Sequence, residues 1–241
     1  MHFYRHDSLP AIGRVVDAVV QVFPSCTIDT REPFPIPDRT IEAARISDTR
    51  QPFERQPAEH EDFDLYGCRV ALYDGYELQR LLARGISDND GGDVHIIFTD
   101  LLACTFSEDD WRYHARTVIC GTPSIISTAG IVEAPAKPRE FYMQQPSFAS
   151  VGSLKRRYAG RFIDYGDAEM MAGAAAGYAL QALFFFLTGG EPFCDDDSCR
   201  LFNAHWQEDV IRTQVENPML CLKHRALAKK FNRRLAGKVE I

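Results

Sequence analysis

Four side chains in the C-terminal part of the sequence have the types and spacing of a metal site: Cys194, Cys199 after four intervening residues, Cys221 after twenty-one more, and His224 after two. Two close pairs joined by a longer loop suit tetrahedral zinc, because each pair can bite from one turn while the loop spans the gap. Four protein ligands leave no position for water. The expectation is therefore one structural Zn2+, with residues 190–241 as a zinc-binding C-terminal subregion. The rival readings are a disulfide between Cys194 and Cys199, which a reducing compartment disfavours, and unrelated thiols, which the paired spacing disfavours.

Two other groups could carry chemistry. His205, Glu208 and Asp209 fall within one expected helix, His205 and Asp209 one turn apart, and could hold a replacement metal or act as acid and base. Their structural reading is a histidine bonded to the core beside two exposed carboxylates. Arg112, Tyr113, His114 and Arg116 could form an anion-tolerant patch, and His114 could activate Cys104 or Cys120 as a nucleophile. No local cysteine-hydrolase signature accompanies them. Cys26, Cys68, Cys104 and Cys120 are scattered through apolar segments, where cysteine packs as a small hydrophobe.

The elements that must position these residues follow from periodicity. Apolar residues at Ile12, Val15, Val16, Val19 and Val20 predict an amphipathic helix over residues 8–22, with Ser8 as cap. Ser25 to Arg31 reads as a strand. Residues 32–61, interrupted by five prolines, read as a surface segment or insertion with a short helix at Ile41 to Ile46. Strands are expected at Cys68 to Tyr73, Val94 to Phe98, Thr117 to Cys120 and Ser124 to Val132, with a helix at Tyr76 to Ala83 and an irregular piece around Glu108 to Arg116. The loop Ser87 to Asp93 has calcium-like composition but no twelfth-position glutamate, and reads as a solvated turn. Residues 139–166 read as loop with short helices. Ala168 to Leu187 is long and uncharged enough to test as a membrane span. Acidic flanks and many small residues instead favour a buried central helix, ended by Gly189 and Gly190. Phe202 to Val215 and Leu220 to Leu235 read as the closing helices, the second with a basic face exposed to solvent.

Aligned on Gly190, Cys194 and Cys199, the frame Gly190-x3-Cys194-x4-Cys199 followed by Cys221-x2-His224 resembles the archaemetzincins, whose signature runs H-E-x-x-H-x-x-G-x3-C-x4-C-M and then C-x-x-C. The sequence departs from it at Arg200, at His224 and in a longer spacer. The resemblance places the catalytic positions of that family on Leu183, Phe184, Leu187 and Phe193, where no catalytic residue is therefore expected. A metalloprotease of this kind needs imidazoles to hold the metal and a carboxylate as base, and leucine and phenylalanine supply neither. The implied protein is a single α/β (or α+β) domain over residues 1–241 with a mixed sheet of about four or five strands. It is also implied to be archaeal, with its structural zinc kept and its peptidase metal lost. A peptide or protein partner is expected in a residual cleft near Ser127 to Glu133. The alternative is an active metallopeptidase with a non-standard ligand set around His205.

The remaining composition sets bounds. A chain of 241 residues with 45% hydrophobic and 25% charged residues can build a substantial core. A net charge of -7 disfavours a dedicated nucleic-acid module. The sequence Met1 to Asp7 has no basic leader and apolar core of a secretory signal, and the thiols suit a reducing interior, so a cytoplasmic protein with no membrane partner is expected.

Overall fold

In the computed structural model, which describes residues 1–57, 62–65, 68–87, 92–144 and 151–237, the chain runs through β1 (His2–Tyr4), α1 (Ile12–Val22), β2 (Asp29–Arg31), α2 (Asp38–Ala43), β3 (Phe63–Leu65), β4 (Cys68–Val70), β5 (Leu72–Asp74) and α3 (Gly75–Ala83). It continues through β6 (His95–Thr99), β7 (Leu102–Ser107), β8 (Arg112–Ala115), β9 (Val118–Ile119), β10 (Ser124–Ser127) and α4 (Thr128–Glu133). The last part holds α5 (Arg139–Gln144), α6 (Val151–Arg157), α7 (Ala168–Thr188), α8 (Gln207–Val210), which passes into a π-helical turn at Ile211–Glu216, and α9 (Leu222–Leu235). The centre of the loop expected at Ser87 to Asp93, and parts of the segments at 32–61 and 139–166, lie outside the described residues.

A five-stranded sheet in the order β2-β1-β6-β10-β9 organises the domain, parallel throughout except for the antiparallel edge β9. Its central strands β1, β6 and β10 are buried on both faces, which is why Val94 to Phe98 is apolar apart from His95. Phe3, Ile96, Phe98 and Ile126 pack on one side with Val15 and Val19 of α1 and with α7. Tyr4, Ile97, Ile125 and Ile119 point to the other side, against Leu78 and Leu82 of α3. The alternation is the period-2 pattern of a strand. A three-stranded sheet, β5-β7-β8, extends the second layer. The architecture is a mixed α/β domain.

Helix α7 is the core helix that the small residues predicted. Met171, Ala172, Ala174 to Leu180 and Leu183 are buried, and 72% of its most apolar window lies inside the fold. The Asp167 carboxylate caps it by accepting the Met170 N–H at 3.0 Å. Gly189, at φ 78°, ends it in the left-handed conformation that favours glycine.

Several expected elements are different in the structure. Ser124 to Val132 is not one strand: β10 stops at Ser127, whose hydroxyl accepts the Gly130 N–H at 2.8 Å and starts α4. Serine at a helix start competes well against extended backbone. The irregular piece around Glu108 to Arg116 is the turn and second arm of the β7–β8 hairpin. The strand Cys68 to Tyr73 is split between two sheets, β4 with β3 and β5 with β7. Ser8 does not cap α1; its hydroxyl bonds His6 and Thr128. Phe202 to Trp206 is not helical, because Phe202 and Trp206 form β-bridges to Cys194 and Ala136.

Candidate functional site

The end of α7, the loop after it and the start of α9 bring Cys194, Cys199, Cys221 and His224 together, with their ligand atoms all within 4.8 Å of one another. Cys194 Sγ and Cys221 Sγ are 4.0 Å apart, and His224 Nδ1 lies 3.6 Å from Cys199 Sγ and 3.2 Å from Cys221 Sγ. A tetrahedral zinc with ordinary bond lengths separates its sulfurs by about 3.8 Å and sulfur from nitrogen by about 3.6 Å. The cage fits that ion.

Local backbone supports it. The N–H groups of Asp196, Leu201 and Cys221 point at sulfur, on Cys194, Cys199 and Cys199 respectively, at 3.4 to 3.5 Å. Cys221 sits at the N-cap of α9. Burial would raise its thiol, but the N–H groups of His224 and Lys223 and the two neighbouring thiols outweigh that and hold it below the ordinary cysteine value. Burial pushes Cys199 up to about 12 and depresses His224. A neutral imidazole is the form that ligates. Among the described residues, these four form the group of histidine, cysteine and carboxylate side chains close enough to hold a metal.

A second feature is a cavity of about 710 Å³ beside the edge strand β9. Thr105, His114, Arg116, Val118, Ile119 and Cys120 line it from the sheets, Tyr178 and Phe185 from α7, and Pro192, Phe193, Asn203 and His205 from the segments around the metal cage. Tyr178 is fully enclosed, and burial lifts its hydroxyl to about 12 while a hydrogen bond with Thr117 opposes the shift. No aspartate or glutamate is among the described residues that line it.

The residues singled out in sequence divide between these places. Of the four positions in register with the archaemetzincin signature, Phe193 lines the cleft, 41% exposed, while Leu183 and Phe184 lie in the core and Leu187 packs against it. Along the expected rim at Ser127 to Glu133, Ser127 to Val132 are buried, and Ala134 and Pro135 just beyond it line the cavity beside β9, one of the two edges of the sheet. His205 and His114 meet the same cavity, although His205 lies outside the helix it was expected to share with Asp209. Glu208 is paired with Arg161 at 2.6 Å and Asp209 with Arg212 at 2.7 Å, so neither carboxylate joins His205.

His114 Nε2 donates to the Asp110 carboxylate at 2.8 Å. Tyr113 turns inward, donating to Asp74 at 2.9 Å, and Arg112 pairs with Asp110. Burial pushes the thiols of Cys104 and Cys120 up to about 12, the opposite of an activated nucleophile. Thr105, Tyr178, Phe185 and Asn203 are cleft residues that sequence reasoning missed. They come from separate elements, and no local pattern marks them.

No curated protein matches the chain. Among solved structures, the chain is similar to archaemetzincin from Methanopyrus kandleri, with 13% identity, a TM-score of 0.48, and 97% of this chain and 93% of that one covered. It is also similar to a zinc-dependent peptidase from Methanocorpusculum labreanum, with 12% identity, a TM-score of 0.47, and 94% and 98% covered. The match that identifies a family spans residues 1–231, and on it the chain belongs to the Probable metallopeptidase family (DUF6775).

Proposed function

We propose that this chain is a peptide-binding member of its family that does not cut what it binds, held together by one structural zinc on Cys194, Cys199, Cys221 and His224. The observation that carries the reading is the lining of the cleft, which contains no carboxylate among the described residues. Peptide hydrolysis by a metal-bound water needs a base to take its proton, and in metalloproteases of the zincin type a glutamate serves. Phe185 and Phe193 present hydrocarbon to the same space. Binding needs less. The outer edge of β9 has no neighbouring strand among the described residues, so its backbone can pair with an extended peptide.

The zinc, when bound, ties α7 to α9 and closes the loop between them. The test combines metal content with turnover. The purified chain, incubated with added Zn2+ and a quenched fluorescent peptide library, is expected to hold one tightly bound zinc and to release no fluorescence above the protein-free rate. Hydrolysis that disappears on His205→Ala, with the first zinc retained, would overturn the proposal in favour of a metallopeptidase with an unconventional ligand set.

A further inference from the structure

The cleft is the place where the charge of this chain is reversed. The molecule has a net charge of -7, yet the described residues that line the cavity include Arg116, His114 and His205 and no aspartate or glutamate. Their states differ. His114 is already engaged by Asp110, 2.8 Å away. Arg116 is exposed, and its Nε donates to Thr105 Oγ1 at 2.7 Å. Thr105 is itself buried on β7. The bond fixes the direction of the guanidinium and leaves its terminal nitrogens without a carboxylate partner among the described residues. The imidazole of His205, also exposed, has no hydrogen-bond partner among the described residues.

An arginine held through Nε in this way presents the planar fork that matches a carboxylate in two parallel hydrogen bonds. Arg116 precedes β9 by two positions, so the fork stands at the head of the edge strand. The remaining lining is apolar or neutral: Val118, Ile119, Pro135, Phe185 and Phe193, with Asn203. A ligand carboxylate would supply the counter-charge that the described lining lacks, and a cationic ligand would be repelled.

We propose that the cleft selects an extended peptide carrying a carboxylate, which the Arg116 guanidinium grips, with His205 contributing a hydrogen bond from a separate segment. The inference rests on the peptide-binding reading above and adds its specificity. It names Arg116 as the residue that sets it and Thr105 as the residue that positions Arg116.

The experiment uses the full zinc-loaded chain and four pools of fluorescently labelled hexapeptides, read by polarisation. One position is fixed as glutamate or glutamine, the others are randomised over neutral residues, and each pool is made as the free acid and as the C-terminal amide. Removal of the gripped carboxylate is expected to weaken binding about tenfold or more, and comparison of the pools tells whether it is the side chain or the chain terminus. In Arg116→Gln the acid-over-neutral preference is expected to collapse. Arg116→Lys should keep part of the preference, and Thr105→Val should reduce it with the charge still present. Thermal melting of each variant separates lost recognition from lost folding. Equal binding of acid and neutral pools overturns the acid selectivity and leaves peptide binding standing. Failure of all four pools to bind overturns both. A preference that survives Arg116→Gln in a folded variant overturns the assignment to Arg116.

Discussion

Phe184 and His224 meet edge to face, with ring centroids 5.3 Å apart and planes at 89°. Phe184 comes from the core helix and is fully buried, and it also touches Phe23 and Phe231. The same ring therefore fills the apolar core and packs on the imidazole of the candidate metal cage. Phe184→Ala should cost about 3–5 kcal/mol as a cavity in a buried aromatic cluster. It should also let His224 rotate, raising the rate of zinc loss. Denaturant unfolding and chelator-exchange kinetics check the two effects separately, and Phe184→Leu should recover much of the first and little of the second.

The four-ligand cage should bind one zinc per chain. Cys199→Ser should reduce this to near zero by elemental analysis, because the serine hydroxyl replaces the most enclosed thiol of the set. Chelation of the native chain should have the same direction. Losing an ion present at about a hundredfold excess over its Kd removes about 2.7 kcal/mol, or about 5–11 °C in Tm for a chain of this length. Calorimetry with and without chelator measures it.

The pH dependence should differ in sign between the metal-free and zinc-loaded forms. Without metal, burial holds the Cys199 thiol at about 12, against 9.0 ordinarily. The folded state then keeps a proton that the unfolded state gives up, so stability falls as pH rises from about 9 towards 12. With zinc bound the thiols are thiolates in the folded state and thiols in the unfolded state below pH 9, so stability falls as pH drops. Melting curves across alkaline and acid series should slope oppositely. A metal-free protein that becomes more stable above pH 9 would contradict the burial of Cys199.

Gly130 links the fold to the cleft. A Cβ there would lie 2.2 Å from the Arg116 carbonyl oxygen and 2.9 Å from Thr117 Cα, and backbone cannot yield as a side-chain tip can. Gly130→Ala should destabilise by about 1–3 kcal/mol through overpacking, and should shift the Arg116 backbone in the bargain. The urea midpoint measures the first effect, and the amide chemical shifts of Arg116 to Ile119 the second.

The metal cage was legible in sequence because zinc constrains both residue type and spacing, and Cys194 to His224 satisfy both. The central strand and α7 were legible because burial demands runs that are mostly apolar, broken only by His95 in the strand and by Glu169 and Gln181 in the helix. Thr128 to Val132 misled for the same reason: Ile131 and Val132 are apolar whether extended or helical, and only the Ser127 cap and the side-chain-free Gly130 decide for α4. His205 was assigned to a helix on propensity, but the bridge between Trp206 and Ala136 holds that segment extended. The cleft was legible only in pieces, as the anion-tolerant patch holding His114 and Arg116 and as the candidate His205. Arg116, Thr105, Tyr178 and Phe193 belong to separate elements, and their convergence is a property of packing.

Strand β9 consists of Val118 and Ile119 alone, with Arg116 before it and Pro123 beyond the following turn. Long open sheet borders invite endless stacking of like chains, and proteins blunt them with brevity, charge and proline. A two-residue border offers a visiting segment a few backbone bonds at most, too little to seed fibril growth between copies. The shortness that protects the chain from itself also means that any guest held there must owe most of its affinity to side chains.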